Sequence, residues 1–178
     1  MSPEASDERG PTRGCWISVG SNVERERSIC GAIADLRAVF GSLVISPVYE
    51  TAAVGFQGEP FLNLVVGINT DWPVRRINQT LRSIEDAHGR ERGPDKFAPR
   101  TLDLDLLTWG DGVGLIDDYE LPRDEILKYA FVLAPLADVA SAEHHPTVGR
   151  SYGELWQEMA RSKAPLSRAA LVIEGQPS

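Results

Sequence analysis

The order of strand and helix patterns in this sequence predicts an α+β fold, a ferredoxin-like antiparallel sheet with helices packed on one face. Two segments show apolar residues at helical spacing, around residues 29–40 and 73–88. Strand patterns surround these helices in the order βαββαβ, at residues 15–19, 43–51, 61–69 and 99–107. With 178 residues, 42% of them hydrophobic, the chain is long enough for one well-buried domain and short for two.

The first three elements follow from local patterns. The strand Cys15–Val19 ends at Gly20-Ser21-Asn22, a turn that can also cap a helix. That helix is predicted from apolar residues at i, i+3, i+4, i+7 and i+11, followed by the C-terminal stop Gly41: Ile29, Ala32, Ile33, Leu36 and Phe40. The next strand, Leu43–Thr51, contains Pro47, which has no backbone donor, so we expect an edge position or a bulge there.

The middle of the chain continues the alternation. In the strand Phe61–Asn69 the even positions are uniformly apolar and should face the core, while Phe61 and Asn63 on the other face suit ring stacking and amide recognition. The second helix presents one apolar face, with Glu85 near its C-terminal end, where the helix dipole disfavours a carboxylate. Further along, Ser151–Met159 is predicted as a short helix and Leu171–Ile173 as a last strand.

An Asp-x-Asp pair lies on the strand that runs from Pro99 to Leu107. Alternation places Asp103 and Asp105 on one face and three leucines on the other. Two neighbouring carboxylates repel each other, so a cation between them is expected. Oxygen ligands of this kind suit Mg²⁺, which usually keeps several waters and substrate phosphates as well.

A dense basic segment leads directly into this strand. Four cations follow one another within eleven residues: Arg90, Arg92, Lys96 and Arg100. Guanidinium groups bind phosphate in a bidentate manner, so the segment and the two carboxylates together favour triphosphate recognition. The alternative is a solvated basic loop beside the wet face of an amphipathic strand.

Composition excludes several classes of protein. The net charge of −8 argues against a nucleic-acid partner, because phosphate-backbone binding is driven by Lys and Arg. Cys15 and Cys30 are too few for a disulfide framework and are expected to be reduced, buried or half-buried thiols. Without an apolar signal-peptide core or a membrane-spanning run, a cytoplasmic protein is expected that has no membrane partner. Residues 1–13 are expected to be a disordered tail, 14–162 the single domain and 163–178 a C-terminal extension.

Three motifs in order carry a resemblance to a known enzyme family. They are Gly20-Ser21-Asn22, Phe61-Leu62-Asn63, and a run from Arg90 to Asp105 that ends in Pro-Arg-Thr-Leu-Asp-Leu-Asp. With these, the chain resembles hydroxymethyldihydropterin pyrophosphokinase over about residues 14–140. The resemblance implies a transfer of diphosphate from ATP to 6-hydroxymethyl-7,8-dihydropterin, with release of AMP. A monomer or weak homodimer is expected.

The resemblance also implies roles for individual residues. Asp103 and Asp105 would be catalytic and would hold two Mg²⁺ ions, with Arg90 and Arg100 as further catalytic residues. The residues implied in ATP binding are Glu85, Arg92, Lys96, Arg100 and Arg123. The residues implied in pterin binding are Thr51, Ala52, Val54, Phe61, Asn63 and Phe131.

Two positions depart from the family pattern. Arg123 stands where the family commonly has His, and Tyr129 stands where it commonly has Arg. Arg123 can still meet phosphate, whereas Tyr129 removes a cation. Three alternatives stay open: a paralogue acting on another pterin alcohol, a pterin- or nucleotide-binding protein without catalysis, and an RNA-binding sheet, against which the negative charge argues.

Overall fold

Two sheets and five helices make up the described part of the chain. The structure, a computed structural model, describes residues 11–52, 59–89 and 102–177. The elements in chain order are β1 (Arg13–Ser21), α1 (Arg25–Phe40), β2 (Val44–Ile45), β3 (Tyr49–Thr51), β4 (Phe61–Thr70), α2 (Val74–Ala87), β5 (Asp103–Trp109), β6 (Gly114–Ile116), β7 (Tyr119–Leu121), α3 (Glu125–Lys128), α4 (Ala130–Ala140), α5 (Tyr152–Ala160) and β8 (Ser167–Arg168). The predicted α+β, ferredoxin-like arrangement is confirmed.

The main sheet has the strand order β5-β1-β4-β3-β8, with β2 also paired to β4, and every pairing is antiparallel. The candidate strand Leu43–Thr51 is interrupted at Pro47, as its missing donor predicted. At the interruption the Ser46 hydroxyl accepts a hydrogen bond from the Val65 backbone N–H at 2.9 Å. A side chain thus replaces the ladder bond that the broken strand cannot make.

The first face of the sheet carries the larger core. The apolar even-numbered residues of β4 and two leucines of β5, Leu104 and Leu106, pack there against the apolar faces of α1 and α2. The amphipathic spacing of both helices is confirmed, since Ile29, Ile33, Ile77 and Leu81 are all buried. This layer holds β1, β4 and β5 in place and thereby fixes the polar residues on their other side.

The second face is covered at one end, which differs from the prediction of helices on one face. Helices α4 and α5 pack there on Trp16, Val65 and Leu107. These three residues are apolar at positions that alternation directs away from the first core, so this face needs its own cover. Beyond the helices the face is lined by polar residues.

Three smaller expectations are corrected. Leu171–Ile173 is not a strand: Ile173 is buried in the first core and Leu171 packs against it, and the strand that pairs with β3 is Ser167–Arg168. Cys15 is buried, but Cys30 is exposed. The strand expected from Pro99 begins at Asp103 within the described residues and extends to Trp109. None of the described helices is long and apolar enough to span a bilayer.

Candidate active site

A cavity of about 540 Å³ lies on the polar part of the second face. Its floor is one row across three strands, in which Gly20 of β1 pairs with Asn63 of β4 on one side and with Asp103 of β5 on the other. A Cβ atom at position 20 would lie 3.0 Å from the Asn63 Oδ1 atom. Glycine therefore keeps the floor between the amide and the carboxylate open.

The two carboxylates of the Asp-x-Asp pair both line this cavity. Asp103 is half-buried and Asp105 exposed, while the intervening Leu104 is buried on the first face. Because alternate residues of a strand share a face, β5 presents both acids to the same space. The leucines anchor the strand that carries them.

The amide end of the floor holds part of the predicted pterin set. Asn63 donates a hydrogen bond from Nδ2 to the Thr51 hydroxyl oxygen at 2.8 Å. This bond leaves the Asn63 carbonyl oxygen available as an acceptor and orients the amide across the cavity. Phe61 pairs with Thr51 at the end of β4 and, like Ala52, does not line the described cavity.

Aromatic rings form one wall. The rings of Tyr129 and Phe131 are stacked, with centroids 5.0 Å apart and planes at 15°. Tyr129 precedes the first residue of α4, and Phe131 lies in its first turn. Both line the cavity, so a planar ligand has an aromatic surface beside the amide.

A charged pair forms the rim. Arg123 donates from Nε and Nη2 to the two carboxylate oxygens of Glu125, at 3.1 and 2.7 Å. Its backbone N–H also donates to the Leu107 carbonyl of β5, at 2.8 Å. The hydrogen bonds and charge of Glu125, with a smaller contribution from Asp105, raise the pKa of Arg123 above its usual value. The guanidinium is therefore a permanent cation near the acidic pair.

A second crevice of about 170 Å³ lies along the outer edge of β5. It is bounded by α2, β5 and β7, and its lining is Asn78, Leu81, Arg82, Glu85, Leu104, Asp105, Leu106, Tyr119, Leu121 and Arg123. Glu85 is only 3% exposed, and its carboxylate accepts a hydrogen bond from the Leu104 N–H at 3.3 Å. Asp105 and Arg123 line both spaces, so the cavity and the crevice meet at these two residues.

The donor set at the junction fits Mg²⁺. Within the described residues no group of three or more His, Cys, Asp or Glu side chains could hold a metal ion by itself. A cation at Asp103 and Asp105 would have two protein carboxylates and would take its other ligands from water or phosphate. That is the usual coordination of Mg²⁺ beside nucleotides.

The structure brings together Asn63, Asp103, Asp105, Arg123 and Phe131 in one cavity, and Glu85 in the adjoining crevice. Five further predicted site residues lie outside the described residues: Val54, Arg90, Arg92, Lys96 and Arg100.

Sequence reasoning did not assign two site residues, Gly20 and Glu125. The signal for Gly20 was a glycine at the end of a strand, where a backbone must be approached closely. Glu125 lies two positions after Arg123 and is the first residue of the short helix α3. Nothing in that spacing alone distinguishes it from a surface carboxylate.

Comparison with known proteins finds a matching family model and relatives that carry the same enzyme name. The family model described as 7,8-dihydro-6-hydroxymethylpterin-pyrophosphokinase (HPPK) matches residues 16–141. The 2-amino-4-hydroxy-6-hydroxymethyldihydropteridine pyrophosphokinase of Pseudomonas aeruginosa is 33% identical, with 79% of this chain and 88% of that protein covered. The enzyme of the same name from Bacillus subtilis is also 33% identical, with 70% of this chain and 76% of that protein covered.

Other relatives are much longer. The folic acid synthesis protein fol1 of Pneumocystis carinii is 30% identical over 81% of this chain, which spans only 20% of that protein. Among solved structures, a Plasmodium falciparum HPPK-DHPS triple mutant superposes with a TM-score of 0.68 at 13% identity, over 87% of this chain and 46% of that one. The structural match supports the fold.

Proposed function

We propose, because the chain belongs to the 7,8-dihydro-6-hydroxymethylpterin-pyrophosphokinase family, that it transfers diphosphate from ATP to 6-hydroxymethyl-7,8-dihydropterin in folate biosynthesis. One observation carries the proposal beyond family membership. The cavity and the crevice are two separate spaces that meet at Asp105 and Arg123. A reaction between two bound substrates requires such an arrangement, with the reacting groups at the junction.

The larger cavity suits the pterin. A pterin is flat and carries amide-like donors and acceptors, which match the Phe131 ring and the Asn63 amide. We place the nucleoside of ATP in the crevice, where the leucines of α2 and β5 offer an apolar surface and Glu85 a buried acceptor. The triphosphate then extends across the junction beside Arg123.

The reaction needs little covalent help from the protein. The pterin hydroxyl oxygen forms a bond to the β-phosphorus, the bond from that phosphorus to the α,β-bridging oxygen breaks, and AMP departs with that oxygen. The hydroxyl proton is released to solvent. Positioning of the two substrates and neutralisation of phosphate charge supply most of the rate gain.

Asp103 and Asp105 are the residues that would hold Mg²⁺, and two ions are expected. When bound, the ions neutralise phosphate charge and lower the pKa of the attacking hydroxyl. The chain's own contribution is a rigid strand that holds both carboxylates toward the junction. Arg90, Arg92, Lys96 and Arg100 are proposed to contact the triphosphate, with Arg90 and Arg100 directly at the transferred group. Thr51, Ala52, Val54 and Phe61 are proposed to complete the pterin side.

The test is AMP release by the purified protein with ATP and Mg²⁺, with and without 6-hydroxymethyl-7,8-dihydropterin. AMP formed in a one-to-one ratio with the pterin diphosphate, and only when the pterin is present, is the expected result. If AMP release needs a different pterin alcohol, the protein is a diverged paralogue, a reading that Arg123 and Tyr129 motivate. Binding of both ligands without AMP release would contradict the catalytic proposal. A monomer or weak homodimer in the cytoplasm remains our expectation for the assembly and its location.

A further inference from the structure

Glu125 is an unexpected residue in a site that is proposed to bind a triphosphate, because its negative charge should oppose the binding of ATP. Glu125 lines the same cavity as Asp103 and Asp105 and adds a third negative side chain to it. Coulomb repulsion alone would make this residue unfavourable for ATP, which itself carries several negative charges. Its presence therefore calls for a compensating contribution.

The geometry of the Arg123–Glu125 pair supplies one. Both Glu125 oxygens accept from Arg123, one from Nε and one from Nη2, so the guanidinium plane is held at two points. The Arg123 backbone is held separately by the Leu107 carbonyl. Within the described part of the chain, the Nη1 group has no hydrogen-bond partner. A two-point carboxylate contact fixes the orientation of a side chain that otherwise samples many rotamers.

Arg123 of this pair lies where the cavity and the crevice meet, so the oriented guanidinium faces the place where a triphosphate would bind. Arg123 lines both the cavity and the crevice and feels the charge of Asp105, whereas Glu125 lines the cavity alone. The guanidinium thus stands at the junction that the triphosphate must cross. A fixed cation there loses less conformational entropy when phosphate binds than a free one does.

We propose that Glu125 is a positioning residue for nucleotide binding, which holds the Arg123 guanidinium toward the triphosphate of ATP. The inference rests on the proposed function, since it takes ATP as the ligand at the junction. It assigns to this chain an orienting carboxylate where Arg123 has replaced the histidine common in the family. Glu125 favours ATP binding because it orients Arg123, although its own negative charge opposes ATP.

The test is decisive because the loss of the Glu125 charge and the loss of its contact with Arg123 should change the affinity for ATP in opposite directions. Glu125→Gln removes a negative charge, which by itself should tighten ATP binding, but it also weakens the two-point contact. We expect the Kd of a non-hydrolysable ATP analogue with Mg²⁺, measured by calorimetry, to rise about 5- to 30-fold. The KM for ATP should rise in parallel, and by a larger factor than the KM for the pterin.

The neighbouring surface pair provides the matched control. Asp124 is exposed and pairs with Lys128. Asp124→Asn removes the same charge from the adjacent position and leaves in place both Glu125 oxygens that accept from Arg123, so the analogue Kd should stay the same or fall slightly. Arg123→Lys keeps the cation but cannot form the contact, and it should weaken binding as Glu125→Gln does. In an Arg123→Lys background, Glu125→Gln should add no further loss.

An unchanged or tighter Kd in Glu125→Gln, with the thermal midpoint preserved, would overturn the inference. So would a further loss in the double variant, because Glu125 would then act independently of Arg123. These outcomes are read against the wild-type protein. If the wild type releases no AMP in the presence of the pterin, the proposed function fails. If it does and the variants behave otherwise than expected, only the positioning role fails.

Discussion

The two faces of the central sheet use the same three strands for different purposes. On the first face the alternate residues of β1, β4 and β5 are aliphatic and lie under α1 and α2 in one continuous core. On the second face the same strands are apolar only beneath α4 and α5, and elsewhere they present Gly20, Asn63, Asp103 and Asp105. Neighbouring residues along one strand therefore serve different purposes: those on the first face stabilise the fold, and those on the second face form the candidate site, because alternation places them on opposite faces.

The sharpest test of this division removes an acid from the second face. Asp103→Ala or Asp105→Ala should lower the rate of AMP release about 1,000-fold or more, because the phosphate charge would no longer be neutralised in place. The free energy of unfolding should change little, since both side chains lie on the polar face and the buried leucines that anchor β5 are untouched. Coupled AMP assays and urea titrations measure both quantities. Asp111→Ala, in the exposed turn after the same strand, should leave both near wild type.

Near-normal AMP release by either aspartate variant would refute the metal assignment.

One strand also allows a paired test of adjacent residues. Leu62 is 1% exposed in the first core, and Asn63 beside it lines the cavity. Leu62→Ala should lower the free energy of unfolding by about 2–5 kcal/mol, because it deletes buried methyl groups and leaves a cavity. The activity per folded molecule should be retained. Asn63→Ala should do the reverse, with a raised pterin KM and little change in unfolding. Equal effects of the two variants on both measurements would contradict the division between faces.

The covered end of the second face should respond to acid. His145 is 3% exposed, and its Nδ1 accepts hydrogen bonds from the backbone N–H groups of Thr147 and Val148. Burial lowers the pKa of His145 below its usual value. The folded state thus resists protonation, so its stability is complete above the unfolded pKa of about 6.5 and is lost as the pH falls below it.

Urea unfolding between pH 5 and pH 8 measures this loss, whose slope for one proton is at most about 1.4 kcal/mol per pH unit. His145→Gln should flatten this part of the profile, whereas His144→Gln, at the exposed neighbour, should not. An equally steep acid limb in His145→Gln would place the titrating group elsewhere.

The smallest effect is expected at the aromatic wall. Tyr129 is 44% exposed and stacks on Phe131. Tyr129→Ala should raise the Kd of the pterin about 2- to 12-fold, because a stacked aromatic pair contributes beyond its buried area. Tyr129→Phe keeps the stack and should bind the pterin like the wild type. A loss of affinity in Tyr129→Phe as large as that in Tyr129→Ala would assign the contribution to the hydroxyl group. Fluorescence titration with the pterin distinguishes these outcomes.

The first face could be predicted from the sequence because its apolar residues recur at regular spacing in several elements. Helices α1 and α2 each show four or more apolar residues at regular spacing, and β4 alternates along its length. Such patterns report burial directly. The second face gave a mixed signal, because Val65 and Leu107 look like their strand neighbours and only tertiary structure shows that α4 and α5 cover them.

The C-terminal part of the chain shows where pattern reasoning fails. The apolar triplet Leu171–Ile173 looked like a strand, yet the residues that pair with β3 are Ser167 and Arg168. A two-residue edge pairing is made by backbone groups, so it leaves almost no trace in side-chain type. The two-point contact of Arg123 with Glu125 likewise cannot be predicted from the sequence, because it depends on the backbone conformation at the start of α3.

The hydrogen bond from the Leu104 N–H to Glu85 bears on aggregation. Strand β5 is the terminal strand of the sheet in the described residues, and the outward N–H groups of such a strand can recruit a strand from another molecule. Glu85 occupies one of these groups from a buried position on α2, which lies along that edge. The opposite edge ends in only two residues, one of them Arg168, which offers a poor template for strand addition. Helix α2, which borders the crevice, therefore also protects this edge of the sheet from pairing with a strand of another molecule.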